Sequence, residues 1–452
     1  MTHWLAGAAA LFSIGISGTA GAQPNKADAG EEMVIAVGGD MIGPYKSFAS
    51  VDKAEFEEIR RILGDSDAAF ANQEGSVFDL AEFTGWPAAE NGGGTPLVPR
   101  KVAAEVRQLG VGLVSVANNH ATDWGTDGLV LTRKALDELK FVHAGSGTNE
   151  ATASEPAYLP TSKGVVGLVA TASSFLTTSL PSDERRDRRG RLLRARPGIS
   201  VLRATSAFRA SPEEIETLKS IAARRGESAP GDRVRLGNQE FAPAETLGLT
   251  YKTDRRDRER IIASVGKAAG NSRVAIFTIH AHETDAGRGS GGSGGVPAGE
   301  LPVPGDFLPP LFHDAIDAGA DLVVRHGPHV LNGIEIYKGR PIFYSLGSLF
   351  FDFDGERSYA PPGSTVALKF GDQWFESAVA AVRYRGERAT EIRLYPVMIE
   401  VSKEASGGLP MRARGTDATR ILERIRDMSQ PYGTRVEIDG DQAIIRVAPD
   451  GE

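Results

Sequence analysis

Short apolar runs alternate with apolar residues at helical spacing through most of the chain, and this pattern predicts the fold class. The apolar runs predict strands at residues 33–37, 68–70, 111–116, 165–170, 274–279, 322–324, 334–337 and 342–351. The helical spacing predicts helices at residues 51–63, 102–109, 129–139, 261–269 and 308–318. Strands that alternate with helices indicate an α/β layered domain.

The alternating pattern predicts a main domain at residues 33–400. Three segments do not follow the pattern: two lie within the main domain and one follows it. Residues 181–260 read as a charged insertion with a helix of its own near residues 212–223. Its arginines favour a solvated surface, because acidic residues interleave with them; a basic rim that attracts an anionic polymer is the alternative. Residues 287–299 read as a Gly- and Ser-rich loop. Residues 402–452 predict a small C-terminal α/β appendage with one helix and one strand.

The first 22 residues have the pattern of a secretory signal peptide. An apolar run from Trp4 to Ile16 is followed by Ala20-Gly21-Ala22, which predicts cleavage after Ala22. An apolar helix packed on the domain is the alternative interpretation. No later segment approaches the roughly 20 apolar residues of a membrane span, so we expect no transmembrane anchor after cleavage. The sequence therefore predicts a secreted or periplasmic protein.

Charge and cysteine content exclude several functions. A net charge of −8 argues against general nucleic-acid binding, which requires a basic face. The chain has no cysteine, which excludes disulfides, thiolate metal sites and cysteine nucleophiles. Any metal must therefore be held by histidine, asparagine and carboxylate side chains.

Polar residues of one chemical kind directly follow the predicted strands, where an α/β sheet forms its sites. The candidate metal ligands among them are Asp40, Glu74, Asn119, His280, His326 and His329. Their donor atoms suit two divalent ions of Mn, Fe or Zn, with three donors for each ion. Each residue alone is compatible with a structural role, such as a turn or a satisfied histidine. Five of the eight histidines lie at these strand ends, which favours a metal site.

Five ordered motifs also resemble a known family, the CapA (poly-gamma-glutamate capsule synthesis) family of the calcineurin-like metallophosphoesterase superfamily. They lie between residues 33 and 352 and begin at Gly39-Asp40-Met41, Asn72-Gln73-Glu74-Gly75, Ala117-Asn118-Asn119-His120, His280-Ala281-His282-Glu283 and His326-Gly327-Pro328-His329. The resemblance implies a four-layer α-β-β-α sandwich with a dinuclear metal centre. It also implies a link to cell-envelope or capsule polymers.

The resemblance implies a role for each motif residue. Asp40 and His329 would bind the first metal, Glu74 would bridge, and the second metal would be bound by Asn119, His280 and His326. His120 would act as the proton donor, and Asp123 would orient it. Candidate substrate or extra metal contacts are Asn72, Asn118, His282 and Glu283. His282 stands where many members have glycine, which suggests an extra ligand or a substrate contact.

The sequence thus predicts an exported, dinuclear metal-dependent hydrolase that acts on an anionic envelope or capsule substrate of the poly-gamma-glutamate type. We expect the enzyme to cleave a phosphoester bond, with an amide bond as the second choice. The partners we expect are a phosphorylated or glutamyl substrate, an anionic polymer and a capsule synthase complex. Two alternatives stay open. One is a non-catalytic accessory subunit for polymer synthesis or export, and the other is a metal-dependent peptide epimerase, because a fold alone does not fix the reaction.

Overall fold

The structure is a computed structural model. It describes residues 31–87, 96–227, 231–285, 303–360 and 367–448. The predicted signal peptide, residues 1–22, and the glycine-rich loop, residues 287–299, lie outside the described residues. Within the described ranges, the helices are too short or too polar for any of them to cross a membrane.

Ten strands form the larger of two main sheets. They are Glu32–Ile42, Ala68–Gln73, Val111–Ser115, Val142–Ala144, Ser348–Phe351, Glu376–Arg385, Arg388–Ile399, Pro410–Arg412, Glu437–Asp439 and Gln442–Arg446. The first strand lies in the interior of the sheet, parallel to the second and to Ser348–Phe351 and antiparallel to Glu376–Arg385. Every residue from Ile35 to Ile42 is buried. This matches the continuous apolar run of a strand that is covered on both faces.

Six strands form the smaller sheet. In spatial order they are Ile334–Tyr337, Arg340–Phe343, Leu322–His326, Val274–His280, Gly164–Ala172 and Ala157–Thr161. Alternate residues of the strand Val274–His280 point to opposite faces of the sheet and pack in different hydrophobic cores. Val274 and Ile276 pack in the core shared with the larger sheet, whereas Phe277 and Ile279 pack in the core under the helices. The smaller sheet is therefore covered on both faces.

Eight α-helices are described. They are α1 (Ala54–Gly64), α2 (Arg100–Gln108), α3 (Gly125–Glu138), α4 (Glu150–Ala153), α5 (Pro212–Arg224), α6 (Arg255–Ala269), α7 (Leu308–Asp317) and α8 (Gly415–Ser429). Helices α1, α2 and α3 contact the larger sheet, and α6 and α7 contact the smaller one. On α1, the buried residues Phe56, Ile59 and Leu63 share one face. The order of layers is helix, sheet, sheet, helix, which confirms the predicted α-β-β-α sandwich.

The charged insertion folds as a small unit of its own. It contains α5, the predicted helix, and a four-stranded sheet that the sequence did not predict: Val234–Leu236, Gln239–Pro243, Ala204–Ala210 and Leu249–Thr253. Helix α5 begins at a capping box in which the Ser211 hydroxyl accepts from the Glu214 backbone and the Glu214 carboxylate accepts from the Ser211 backbone. Residues 255–260, which we predicted as part of the insertion, belong instead to α6.

Short strands and 3₁₀ turns complete the structure. The paired strands are Ser76–Val77 with Leu97–Val98, Ser146–Gly147 with Gly198–Ile199, Arg185–Arg186 with Leu192–Leu193, and Ser358–Tyr359 with Leu368–Lys369. The 3₁₀ turns are Leu80–Glu82, Thr177–Ser179, Asp372–Phe375 and Gln430–Tyr432.

The C-terminal segment, predicted as an α/β appendage at residues 402–452, is joined to the larger sheet through its own strands. Pro410–Arg412 and Gln442–Arg446 both pair with the strand Arg388–Ile399. Helix α8 packs on that strand, and its Arg420 Nε donates to the buried Glu376 carboxylate at 2.9 Å. The appendage therefore extends the edge of the sandwich.

One predicted strand, residues 342–351, is wrong because it is two strands in different sheets. Arg340–Phe343 belongs to the smaller sheet and Ser348–Phe351 to the larger one. The chain crosses between them through a turn at Gly347, which has a φ of +76°. Both strands are buried and rich in apolar residues, and only Ser345, Gly347 and Ser348 mark the break between them in the sequence. The crossing places the Gly347 carbonyl against Asp40, at the end of the first strand.

Candidate metal centre

The candidate residues lie at the carboxyl ends of strands in both main sheets, and they meet between the two sheets. In the smaller sheet, His280 and His326 are paired in register on neighbouring parallel strands. Side chains alternate between the two faces of a strand, and Ile276 and Val324, which lie an even number of residues before His280 and His326, face the larger sheet. The two histidine rings therefore point into the space between the sheets. Their Nδ1 atoms are 3.0 Å apart, and both side chains are fully buried.

Asp40 reaches the same point from the larger sheet. The register of the first strand shifts between Val37 and Asp40, at Gly38-Gly39. A Cβ on Gly39 would lie 1.7 Å from the Gly347 carbonyl oxygen, so the strand can pass this turn only with glycine there. The Asp40 Oδ1 atom then lies 3.5 Å from His326 Nδ1 and 4.0 Å from His280 Nδ1. Asp40, His280 and His326 form the first group of donors, with one atom of each within 4.8 Å of the others.

A second group of donors consists of Glu74, His282 and His329, again with atoms within 4.8 Å of one another. His329 has a φ of +57°, a left-handed conformation that histidine adopts more readily than most residues. Its Nε2 atom is 3.6 Å from Glu74 Oε1, and its Nδ1 atom is 3.1 Å from Asp40 Oδ2. His280 also faces this group, because its Nε2 atom is 3.0 Å from His282 Nε2. The two groups are therefore adjacent.

Gly327 lets the loop between His326 and His329 close over the site. Its φ of +112° is open only to glycine, and a Cβ there would lie 3.2 Å from the His280 ring. The Gly327 backbone N–H donates to Asp40 Oδ2 at 2.9 Å. This contact fixes the carboxylate between the two groups of donors.

The electrostatics of the site suit a divalent cation. Burial lowers the pKa of His280 and of His282 well below the usual value, and it lowers the pKa of His326 to about 4, so these rings are neutral at neutral pH. Burial and then the charge of Asp40 raise the pKa of Glu74 well above its usual value. Burial would also raise the pKa of Asp40, but His329 and the other histidines bring it well below the usual value. Neutral imidazoles beside two carboxylates match the donors of Mn, Fe or Zn.

Unsatisfied polar atoms also fit a metal site. Within the described part of the chain, Glu74 Oε1 and Asn119 Oδ1 are buried and make no hydrogen bond. A buried acceptor without a partner costs free energy unless something outside the protein, such as a cation, satisfies it. The residues present therefore fit the implied metals.

Asparagines connect the carboxylates to the loop that carries His120. Asn72 Nδ2 donates to Asp40 Oδ1 at 2.8 Å and lies 3.3 Å from Glu74 Oε2. Asn118 Nδ2 lies 3.3 Å from Asn72 Oδ1, and Asn118 Oδ1 accepts from the His120 backbone at 3.1 Å. These contacts orient both carboxylates and set the position of the His120 loop.

His120 and Asp123 form a buried pair, with His120 Nδ1 2.7 Å from Asp123 Oδ2. Burial raises the pKa of Asp123, the interaction with His120 opposes this, and the result is about 6. A carboxylate at this distance fixes the tautomer and the orientation of an imidazole. The geometry fits the pairing that the sequence analysis assigned to these residues.

A buried polar network lies beneath His282. The Glu283 carboxylate accepts from the hydroxyls of Ser173 at 2.7 Å and Ser174 at 2.9 Å, and Ser174 Oγ accepts from the His282 backbone at 2.8 Å. Arg325 donates to the carbonyl oxygens of Ala281 and Glu283, on either side of His282. The network therefore holds the backbone of His282. Glu283, a candidate contact from the sequence, takes part in this support.

The structure brings most of the predicted site residues together, but its two groups of donors differ from the two sets of ligands that the resemblance implied. The resemblance implied Asp40 with His329 on one metal, and His280 with His326 on the other. In the structure, Asp40 forms a group of donors with His280 and His326, and Glu74 forms one with His282 and His329. Asp40 Oδ2 also lies 3.1 Å from His329 Nδ1, the pair that the resemblance assigned to one metal. Sequence reasoning missed Ser173 and Ser174, whose only signal is their place just after the strand Gly164–Ala172. It also missed Trp374, which stacks on His329 with ring centroids 5.4 Å apart and comes from a distant segment without any motif.

The remaining described histidines have structural contacts. His143 Nε2 lies 3.1 Å from Asp137 Oδ1. His313 Nε2 lies 2.7 Å from Glu335 Oε1, and its ring stacks on Tyr337 at 3.9 Å between centroids.

Comparison with known proteins gives relatives of two kinds. Two uncharacterized proteins of Sinorhizobium fredii, y4sH and y4uA, are each 32% identical over 92% of this chain and 93% of their own length. A "Probable polyglutamine synthesis accessory protein" of Mycobacterium tuberculosis is 26% identical over 74% of this chain and 66% of that protein. The "PGA biosynthesis protein CapA" of Bacillus subtilis is 53% identical, but over only 11% of this chain and 13% of that protein.

Among solved structures, a hypothetical protein from Thermus thermophilus matches 80% of this chain and 98% of its own chain, with 12% identity and a TM-score of 0.37. We draw no conclusion about fold or function from a likeness at this level. The match to a family is much stronger, because residues 34–288 and 302–353 match the family described as "Bacterial capsule synthesis protein PGA_cap". These residues include all the donors described above. The chain belongs to this bacterial capsule synthesis family.

Proposed function

We propose that this protein is an exported, dinuclear metal-dependent hydrolase that cleaves a phosphoester, or as second choice an amide, in an anionic capsule-type substrate. The observation that carries the proposal is the adjacency of the two groups of donors. His280 contributes Nδ1 to the first group, and its Nε2 atom lies 3.0 Å from His282 of the second. Two metals roughly 3.5–4 Å apart are the usual arrangement in phosphatases and nucleases.

The metals, when bound, would supply Lewis acidity that activates water and polarises the substrate oxygen. The chain's own residues account for the other requirements. With metals bound, Asp40 and Glu74 would both be deprotonated, and their two negative charges would offset only half of the four positive charges of two divalent ions, so the site would attract an anionic substrate. Asn72 orients both carboxylates through the contacts described above.

In this proposal His120 would give a proton to the leaving group. Its Nδ1 atom faces Asp123, which leaves Nε2 as the nitrogen that can serve the substrate. Asp123 is fully buried and His120 is 6% exposed, so water competes little for this pair. A positioned general acid contributes roughly 10²–10⁴-fold to a rate.

A non-catalytic accessory role is the second candidate, because the mycobacterial relative is named as an accessory protein of polymer synthesis. The complete set of buried donors favours catalysis, since binding a partner alone does not require neutral histidines held against two carboxylates. Export is part of the main proposal. The N-terminal residue of the mature protein, measured by mass spectrometry, tests it, and we expect Gln23.

Metal reconstitution tests the hydrolase proposal. Protein stripped with a chelator and reloaded with Mn, Fe or Zn would be assayed on an aryl phosphomonoester, an aryl phosphodiester and a γ-glutamyl anilide. We expect turnover of a phosphoester that depends on the added metal. His143→Gln, a change outside the site, serves as control and should keep that turnover. The proposal fails if none of the metals gives turnover of any of the three substrates.

A further inference from the structure

An exposed hairpin of the insertion, residues 182–196, stands beside the His120 loop; we call it the arginine hairpin. It contains seven arginines and three acidic residues in a chain whose net charge is −8. Its two short strands, Arg185–Arg186 and Leu192–Leu193, are exposed, and Gly190 turns the chain with a φ of +76°. The sequence alone favoured a solvated surface segment, because acidic residues interleave with the arginines.

The structure shows that two of the acidic residues are engaged in holding the backbone. Asp187 Oδ1 accepts from the backbone N–H groups of Arg189 and Arg191, and Asp187 Oδ2 accepts from Arg191 Nε at 2.7 Å. Asp183 accepts from the backbone of Ala151 at the start of α4. These carboxylates therefore shape the hairpin and its base, and the seven arginines outnumber the three acidic residues, so the hairpin keeps a net positive charge.

Four arginines of the hairpin stay exposed to solvent. Among the residues that the structure describes, none forms an ion pair or a side-chain hydrogen bond with Arg185, Arg188, Arg189 or Arg194. Two arginines in the first turns of α6 differ. There Arg255 pairs with Glu259, and Arg258 pairs with Asp314. The arginine hairpin thus brings four exposed arginines together on one short segment.

The base of the hairpin is fixed to the candidate site. Ser182 and Arg196 pair through their backbones at 2.8 and 3.1 Å, and the Arg196 side chain donates to the carbonyl oxygens of Thr178 and Leu180. The neighbouring Ser179 hydroxyl lies 2.7 Å from the Thr122 hydroxyl. Thr122 is located between His120 and Asp123. A polymer held by the hairpin would therefore lie close to the proposed proton donor.

We propose that the arginine hairpin binds a polyanionic chain rich in carboxylates and delivers it to the site. Guanidinium groups recognise carboxylates through paired hydrogen bonds, and several of them in a row suit a repeating anion. Leu192 and Leu193, which are 52% and 37% exposed, add apolar surface for the hydrocarbon part of such a chain. The choice of carboxylates rests on the proposed function, whereas binding of a polyanion by the hairpin does not require catalysis.

Binding measured without turnover tests the proposal. Fluorescence anisotropy with labelled poly-γ-glutamate would compare wild-type protein with the variant Arg185→Gln/Arg188→Gln/Arg189→Gln/Arg194→Gln. The control variant, Arg224→Gln/Arg255→Gln/Arg256→Gln/Arg435→Gln, removes the same charge from exposed arginines elsewhere. We expect the hairpin variant to bind roughly tenfold more weakly at low salt and with a flatter salt dependence, and the control to stay within about twofold.

Several results would overturn the proposal. They are no binding by the wild type at low salt, equal losses in both variants, or wild-type affinity in the hairpin variant. Tighter binding of inorganic polyphosphate than of poly-γ-glutamate would overturn the choice of carboxylates. Hydrolysis of a small phosphoester should be alike in all three proteins. A protein that binds the polymer through the hairpin but hydrolyses nothing would refute the proposed function and leave the binding proposal intact.

Discussion

His280 and His326 face each other across two parallel strands with their Nδ1 atoms 3.0 Å apart. Burial keeps both rings neutral, and the Asp40 carboxylate lies 3.5 Å from the His326 nitrogen. Two neutral ring nitrogens and a carboxylate in such proximity are the donors that a divalent cation takes up. The relationship depends on register, because a slip by one residue in either strand would turn one ring to the other face of the sheet.

Gly39 should be essential for placing Asp40. Gly39→Ala puts a Cβ 1.7 Å from the Gly347 carbonyl oxygen, and backbone must move to relieve the clash. We expect a loss of about 3 kcal/mol in the free energy of unfolding, at the upper end for an overpacked core, together with lower metal content. Gly38→Ala is the matched control, since its Cβ would meet the flexible Leu349 side chain at 2.9 Å. Urea denaturation should show a smaller loss for Gly38→Ala, and equal losses would contradict this account of the turn.

Arg325 should stabilise the loop that carries His282. It is fully buried, and burial lowers its pKa to about 10. Arg325→Met removes the donors to two backbone carbonyls and the positive charge that compensates Glu283. We expect a loss of roughly 3–5 kcal/mol in the free energy of unfolding, the usual cost of breaking a buried charge pair.

A double-mutant cycle separates this role from simple packing. The double variant Arg325→Met/Glu283→Gln removes both charges and should recover part of the lost free energy of unfolding. Ser174→Ala removes the acceptor of the His282 backbone N–H and one hydroxyl donor to Glu283, and it should cost roughly 1–3 kcal/mol. Additive losses in the double variant would show that Arg325 and Glu283 act independently.

Glu376 should hold the C-terminal helix to the larger sheet. Its carboxylate is 1% exposed and pairs with Arg420 and Arg424 of α8. Glu376→Gln should lower the free energy of unfolding by roughly 1.5–3 kcal/mol, the range for hydrogen bonds to charged groups. Arg426→Gln on the same helix changes an exposed pair and should cost less than about 0.5 kcal/mol. A Glu376→Gln protein as stable as the Arg426→Gln control would show that α8 is held by other contacts.

His120→Ala should separate proton transfer from metal binding. The variant keeps every donor of the two groups, so its metal content should equal that of the wild type. Its kcat on a phosphoester with a poor leaving group should fall roughly 10²–10⁴-fold. The loss should shrink for a nitrophenyl leaving group, which departs without a proton. An equal loss on both substrates would contradict the role of a general acid.

Local sequence patterns predicted the parts of the fold that depend on neighbouring residues. Buried strands such as Val274–His280 carry a continuous apolar run, and polar residues such as Asp40 and His280 follow those runs directly. Because parallel strands end at one edge of a sheet, their position predicted a shared site. The apolar patterns alone predict an α/β layered domain, and the resemblance of the motifs added the number and order of the layers.

Features that depend on contacts between distant residues were not predictable in the same way. The four-stranded sheet of the insertion has short strands with many exposed residues, such as Ala204–Ala210, so no apolar run marks it. The grouping of Glu74 with His282 and His329 depends on how two sheets face each other across the core. The turn of the arginine hairpin depends on Asp187, which accepts from the backbone N–H groups of Arg189 and Arg191, and no motif marks this contact.

The number of metal ions bound per chain tests the central claim most directly. Protein reconstituted with excess Mn, Fe or Zn and freed of unbound ions would be analysed by inductively coupled plasma mass spectrometry, next to the variants His326→Ala, Glu74→Ala and His120→Ala. We expect two ions per chain in the wild type and in His120→Ala, and fewer in the other two variants, which each remove one donor from a different group. Full metal content in all four proteins, or none in the wild type, would contradict the dinuclear centre.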